Sequence, residues 1–86
     1  MVWNVQFTPE AERDLSQCDK VIAQRILQKL KWLSQNFEYI TPLPLKGPWK
    51  GKYKLVVGDW RVIYNLDRKN SALWVHLIGH RREIYR

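Results

Sequence analysis

The chain has one cysteine, Cys18, among 86 residues. No intrachain disulfide can form, a thiolate metal site is not expected, and a reducing compartment fits. No apolar run reaches membrane-spanning length. The start, Met1-Val2-Trp3-Asn4-Val5-Gln6, lacks the basic-then-apolar pattern of a secretory leader. A cytoplasmic protein away from membranes is the expectation. There is no Gly-rich phosphate loop, no paired-carboxylate arrangement, and no His/Cys/Asp cluster at metal-ligand spacing. Ser16, Ser34 and Ser71 carry no local nucleophile signature, so neither a metal nor a cofactor is expected. Acidic residues are also scarce, eight against fifteen Lys and Arg.

What is present is a hydrophobic fraction of 45% with five Trp and four Tyr. That is a packed globule, and its length allows one domain over residues 1–86. The net charge of +7 is unevenly placed. In residues 1–43, Arg13, Lys20, Arg25, Lys29 and Lys31 balance Glu10, Glu12, Asp14, Asp19 and Glu38. In residues 44–86, ten Lys and Arg face only Asp59, Asp67 and Glu83. Solubility charge alone would spread more evenly, so the excess points to a face for a polyanion or an acidic partner.

Trp3, Val5 and Phe7 alternate with polar residues, the period of a strand. Thr8-Pro9-Glu10 opens a helix with a hydroxyl cap, proline in the first turn and an acid at the positive end of the dipole. This helix should end near Ser16 to Cys18. Asp19 can cap a second, running to about Asn36 with Ile22, Ile26, Leu30 and Leu33 inward and Ala23 and Leu27 beside them. Pro42, Pro44 and Pro48 then break any regular pattern and predict a loop or irregular edge.

The centre of the chain is Gly51 to Tyr64. Tyr53, Leu55 and Val57 alternate with Lys52, Lys54 and Val56. After a Gly58-Asp59 turn, Trp60, Val62 and Tyr64 alternate with Arg61, Ile63 and Asn65. A hairpin brings Lys52, Lys54 and Arg61 near one another, and the turn register decides whether they share a face. In the last strand, Ala72 to Ile78, alternation puts Leu73, Val75 and Leu77 on one side and Trp74, His76 and Ile78 on the other. The predicted fold is α+β in two layers. An N-terminal strand and a helical hairpin precede a three-stranded antiparallel meander, in the order β-α-α-β-β-β.

With no metal chemistry in sight, RNA offers its own nucleophile, the 2′-hydroxyl beside the scissile phosphate. Such a reaction needs in-line orientation, proton transfer and offset of phosphoryl charge. Lys, Arg, His and Tyr can fill these roles. By residue type alone, Lys52 and Lys54 are either solvated strand charges or RNA contacts, and Arg61 either pairs with Asp59 or Asp67 or holds phosphate. His80 is either a titrating group or a structural donor beside Gly79. Trp32, Trp49 and Trp74 read as packing residues, and His76 as structural within its strand.

Leu45-Lys46-Gly47, Tyr53-Lys54-Leu55, Val57-Gly58-Asp59-Trp60-Arg61-Val62-Ile63-Tyr64 and Ile78-Gly79-His80-Arg81-Arg82-Glu83-Ile84-Tyr85 together resemble the RelE toxins of bacterial toxin–antitoxin pairs. Thr8-Pro9-Glu10-Ala11 and the helical hairpin match the family's first half, so the resemblance spans essentially the whole chain. It implies a ribosome-dependent endoribonuclease that cuts mRNA in the A site and is silenced by a cognate antitoxin, in a hetero-oligomeric complex. It assigns catalytic roles to Lys54, Arg61, Arg81 and Tyr85: a basic residue of the cleavage site, two phosphate-holding arginines and a base-orienting tyrosine. Lys46, Lys50, Lys52, His80, Arg82 and Arg86 are the accompanying candidate RNA contacts. Val56 departs from the pattern, because the family often has a second Lys or Arg there, and Lys52 is a candidate to compensate. The ParE-type relatives, which share the architecture and poison DNA gyrase through protein contacts, are the second possibility. A basic RNA-binding module without catalysis is the third.

Overall fold

A computed structural model describes residues 3–84. Strand β1 (Asn4–Phe7) leads into helices α1 (Pro9–Ser16) and α2 (Lys20–Asn36). Then come β2 (Leu43–Pro44), β3 (Tyr53–Val57), β4 (Trp60–Asp67), β5 (Ala72–His80) and a final turn of helix, α3 (Arg81–Ile84).

Thr8 caps α1 as its sequence requires. Its extended backbone precedes Pro9, and its Oγ1 accepts from Ala11 N at 3.2 Å. Asp19 stands at the start of α2 without a side-chain cap bond. A missing cap costs about 1 kcal/mol. Ile26, Leu30 and Leu33 are almost wholly buried, and each contributes roughly 1.5–3 kcal/mol. Packing, not capping, holds α2 in place. Leu27 departs from expectation: it sits on the outer flank of the helix, 43% exposed.

The sheet has five strands in the order β1-β5-β4-β3-β2. The antiparallel meander β3-β4-β5 forms as read from sequence. Two strands join it. β1 adds parallel to β5, with Asn4 opposite Ala72 and Phe7 opposite Val75. Leu43–Pro44 pairs antiparallel with β3. A proline is tolerated there because an edge strand has one row of backbone donors without a strand partner.

β5 continues past the end of β1, so its backbone groups on that side need other partners. Thr8 N donates to Val75 O at 3.0 Å, Thr8 Oγ1 donates to His76 O at 3.4 Å, and Ile78 N donates to Asp14 Oδ2 at 3.0 Å. Thr8, the cap of α1, and Asp14 near its end thus replace the missing strand.

One irregularity resets the faces of β5. Ile63 pairs with Leu77 but Tyr64 pairs with Val75, which leaves His76 as an extra residue. Such a bulge puts two consecutive residues on the same side. Leu73, Val75 and Ile78 therefore face the helices, where they pack with Ala11, Ile26, Leu30, Leu55, Val62 and Tyr64. Trp74, His76 and Leu77 face the other way. Strict alternation had grouped Leu77 with Val75 and Ile78 with Trp74; the bulge exchanges them. Tyr64, beside Tyr53 with ring centroids 5.8 Å apart, is 1% exposed. Burial, with Tyr53 adding to it, pushes its phenol up to about 12.

Candidate nucleic-acid interface

The helices cover one face of the sheet, and the basic residues of the hairpin gather on the opposite face. Cross-strand partners share a face, and Val56 lies opposite Arg61 while Lys54 lies opposite Ile63 and Leu43. Lys54 and Arg61 are therefore diagonal neighbours on the open face. Ile63, fully buried, forms its apolar floor. The register left undecided by the sequence brings these two cations together.

The turn between β3 and β4 holds Arg61 in position. Gly58 takes φ +58° while Asp59 stays out of the left-handed region, the arrangement of a two-residue turn with glycine first. Arg61 Nη1 donates to Gly58 O at 2.8 Å and to Trp60 O at 2.9 Å. A guanidinium carries five donors in a fixed fork, so two bonds from Nη1 orient the group without exhausting it.

Arg81 reaches the same turn from the end of β5. Its backbone N donates to Asp59 O at 2.8 Å, and its Nε lies 3.7 Å from Asp59 Oδ1. Both side chains are more than half exposed, 54% and 66%. An ion pair this open contributes little stability and leaves Arg81 easily drawn to a stronger anion. Asp67 is engaged elsewhere: its carboxylate accepts from Asn70 N at 3.1 Å and Asn70 Nδ2 at 2.7 Å, which holds its pKa below the ordinary value. Gly79, opposite Arg61, makes room for the tail, since a Cβ there would lie 3.0 Å from Ile84 Cδ1.

The remaining candidates divide. Val56, 39% exposed, stands directly across from Arg61, so the family's second cation would extend the Arg61 site. Lys52 lies toward the far end of β3, where its charge is felt at His76. It stands four residues before Val56, at the end of the strand away from the Gly58 turn. Lys46 and Lys50 flank the 3-10 turn Gly47–Trp49 and are exposed. Arg82 is exposed on α3. His80 belongs to the helix side of the sheet: its ring packs edge-on against Trp60, centroids 5.7 Å apart, and its Nδ1 accepts from Arg82 N at 3.2 Å. With Ile22 and Arg25 of α2 it lines a cleft of about 270 Å³. Tyr85 and Arg86 lie outside the described residues. Among the described residues no group of three His, Cys, Asp or Glu is placed to hold a metal ion, and no helix is long and apolar enough to cross a membrane.

Asn65, Trp74 and His76, of which the sequence reads Trp74 as packing and His76 as structural, share the open face. His76 Nε2 lies 2.9 Å from Asn65 Oδ1. Burial and the Lys52 charge lower its pKa, with Glu10 opposing. Only the bulge, invisible to a period of two, puts His76 and Leu77 on the same side.

A family model for the ParE toxin of a type II toxin-antitoxin system, parDE, matches residues 5–85. Among solved structures, the chain is similar to the toxin–antitoxin complex RelBE2 from Mycobacterium tuberculosis, with 22% identity over 93% of this chain and 99% of that one, at a TM-score of 0.82. It is similar to a double mutant of the E. coli toxin RelE in the free state, with 18% identity over 99% and 92% and a TM-score of 0.79. A point mutant of YafQ from E. coli shares 25% identity over 98% and 99%, with a TM-score of 0.64. No curated protein matches the sequence. The sheet order, the helical pair and the family match over nearly the full length agree: the chain belongs to the ParE toxin family of type II toxin–antitoxin systems, within the RelE/ParE superfamily.

Proposed function

We propose that this toxin is a ribosome-dependent, metal-independent mRNA endonuclease of one domain, acting in the cytoplasm and held inactive by a cognate antitoxin. The observation that carries the reading is the convergence of Lys54, Arg61 and Arg81 at one end of the open sheet face. Cleavage proceeds by attack of the substrate 2′-oxygen on the adjacent phosphorus and rupture of the P–O5′ bond. A 2′,3′-cyclic phosphate and a 5′-hydroxyl result. Lys54 steadies the 2′-oxygen as its proton leaves, Arg61 and Arg81 offset charge on the phosphoryl oxygens, and Arg81 lies nearer the departing 5′-oxygen. Tyr85 orients the base. The A-site message and ribosomal RNA supply the remaining acid–base groups, so free RNA is a poor substrate.

Primer extension on translating ribosomes tests this directly. Wild-type protein should produce cuts within A-site codons that disappear with Arg61→Ala and with Arg81→Ala. Equal digestion of naked RNA would refute the ribosome requirement.

A gyrase-directed toxin is the second reading, and the family match over residues 5–85 favours it specifically. Growth arrest with altered DNA supercoiling and intact message would select it.

A further inference from the structure

Beyond the phosphate-binding end of the open face, a second cluster lies across its middle. Trp74 stands on β5 opposite Asn65 of β4 and beside Gln6 of β1, with its parity directed away from the helices. It is partly exposed and takes no part in the apolar core. His76, two residues on and on the same face by simple alternation, is fixed to Asn65 at 2.9 Å. Because the amide oxygen can only accept, the imidazole donates from Nε2, and in the neutral ring Nδ1 is an acceptor. Asn65 keeps its amide N–H₂ as donors. A flat indole thus lies beside a fixed donor–acceptor pair. Continuing the alternation of β3 past Tyr53 brings Lys52 to the same level of the sheet.

We infer that Trp74, Asn65, His76 and Lys52 form a nucleobase subsite for single-stranded RNA, separate from the cleavage centre at Arg61 and Arg81. Bases splayed from a single strand are bound by stacking on aromatic side chains and by hydrogen bonds to their edges, while basic residues follow the phosphates. The open face has these parts in order: a stacking plane, a polar pair for the base edge, and Lys52 and Lys54 leading toward Arg61. From the Asn65 level to the Arg61 level is four residues of β4, about 13 Å, within reach of a short oligonucleotide. The subsite reads the identity of a base flanking the cut, and it rests on RNA being the ligand of this face.

The test is an NMR titration of the full-length toxin with a hexaribonucleotide carrying 2′-O-methyl groups throughout, which leaves no nucleophile for cleavage. The Trp74 indole N–H and the His76 ring signals should shift on addition. Trp74→Ala should weaken binding about tenfold or more, whereas Trp74→Phe, which keeps a stacking plane, should retain most of it. His76→Ala and Asn65→Ala should flatten the preference among hexanucleotides that differ at one base. Thermal melts of each variant show that the fold is intact. Shifts confined to Arg61 and Arg81, with Trp74→Ala binding as wild type, would overturn the subsite. Binding at Trp74 by a protein that cuts no message on ribosomes would uphold the subsite and sink the nuclease reading. Absence of any oligonucleotide-dependent shift would remove the subsite, while cleavage on translating ribosomes decides the nuclease reading separately.

Discussion

Asp14 of α1 accepts a hydrogen bond from the backbone of Ile78, sixty-four residues later, at 3.0 Å. It serves a strand donor that β1 is too short to reach. Asp14→Ala leaves that N–H without a partner at a half-covered site, and the expected cost is about 1–3 kcal/mol. For a domain of this size, each 1 kcal/mol lowers Tm by about 4–8 °C. Asp14→Asn retains an acceptor oxygen and should lose less. Thermal unfolding of the two variants beside wild type checks the ordering.

Tyr64 gives the fold an alkaline limit. Its phenol titrates near 12 when folded against an ordinary 10, because burial disfavours the phenolate. Between those values the unfolded chain has lost the proton and the folded chain has kept it. The associated stability is therefore complete below pH 10 and disappears as pH rises toward 12. The size is on the order of 2 kcal/mol. Denaturant unfolding from pH 9 to 12 should fall more steeply for wild type than for Tyr64→Phe.

His76 imposes a limit in the acid direction. Its folded pKa lies below 6.5, owing first to burial and then to Lys52, with Glu10 opposing both. In that window the unfolded chain binds the proton and the folded chain does not, so this contribution is complete above 6.5 and is lost as pH falls through the lowered value. Titration of the imidazole by NMR should give a value below 6.5. Lys52→Ala should raise it, and Glu10→Ala should depress it further.

Val56 stands where the RelE resemblance expects a second cation, beside the proposed phosphate site. It is exposed and opposite Arg61, so Val56→Lys adds a cation there without disturbing the core. A charge-assisted contact to phosphate is worth roughly 1.5–3 kcal/mol, and cleavage of ribosome-bound message should rise by about tenfold or more. An unchanged rate, with the fold retained, would show that the scissile phosphate passes elsewhere.

The sequence by itself determined most of the elements and the half of the chain that carries the excess positive charge. Thr8-Pro9-Glu10 marks the start of α1, the spacing of Ile26, Leu30 and Leu33 makes α2 amphipathic, and Gly58-Asp59 closes the hairpin. These are local signals: a cap, a period and a turn each act over a few residues. The RelE-like strings around Arg61 and Arg81 likewise identified the superfamily from short stretches. Tertiary structure decided what depends on distant partners. That β1 lies parallel to β5, that Asp14 substitutes for a strand at Ile78, and that Asp59 holds Arg81 all join residues far apart in the chain. The bulge decided the rest. A period of two cannot report one extra residue opposite Ile63 and Tyr64, yet that residue sends Ile78 into the core and turns Leu77 to the open face. His80 remained on the covered face for the same physical reason: a strand's two faces are assigned by its register with its neighbours, not by its own composition.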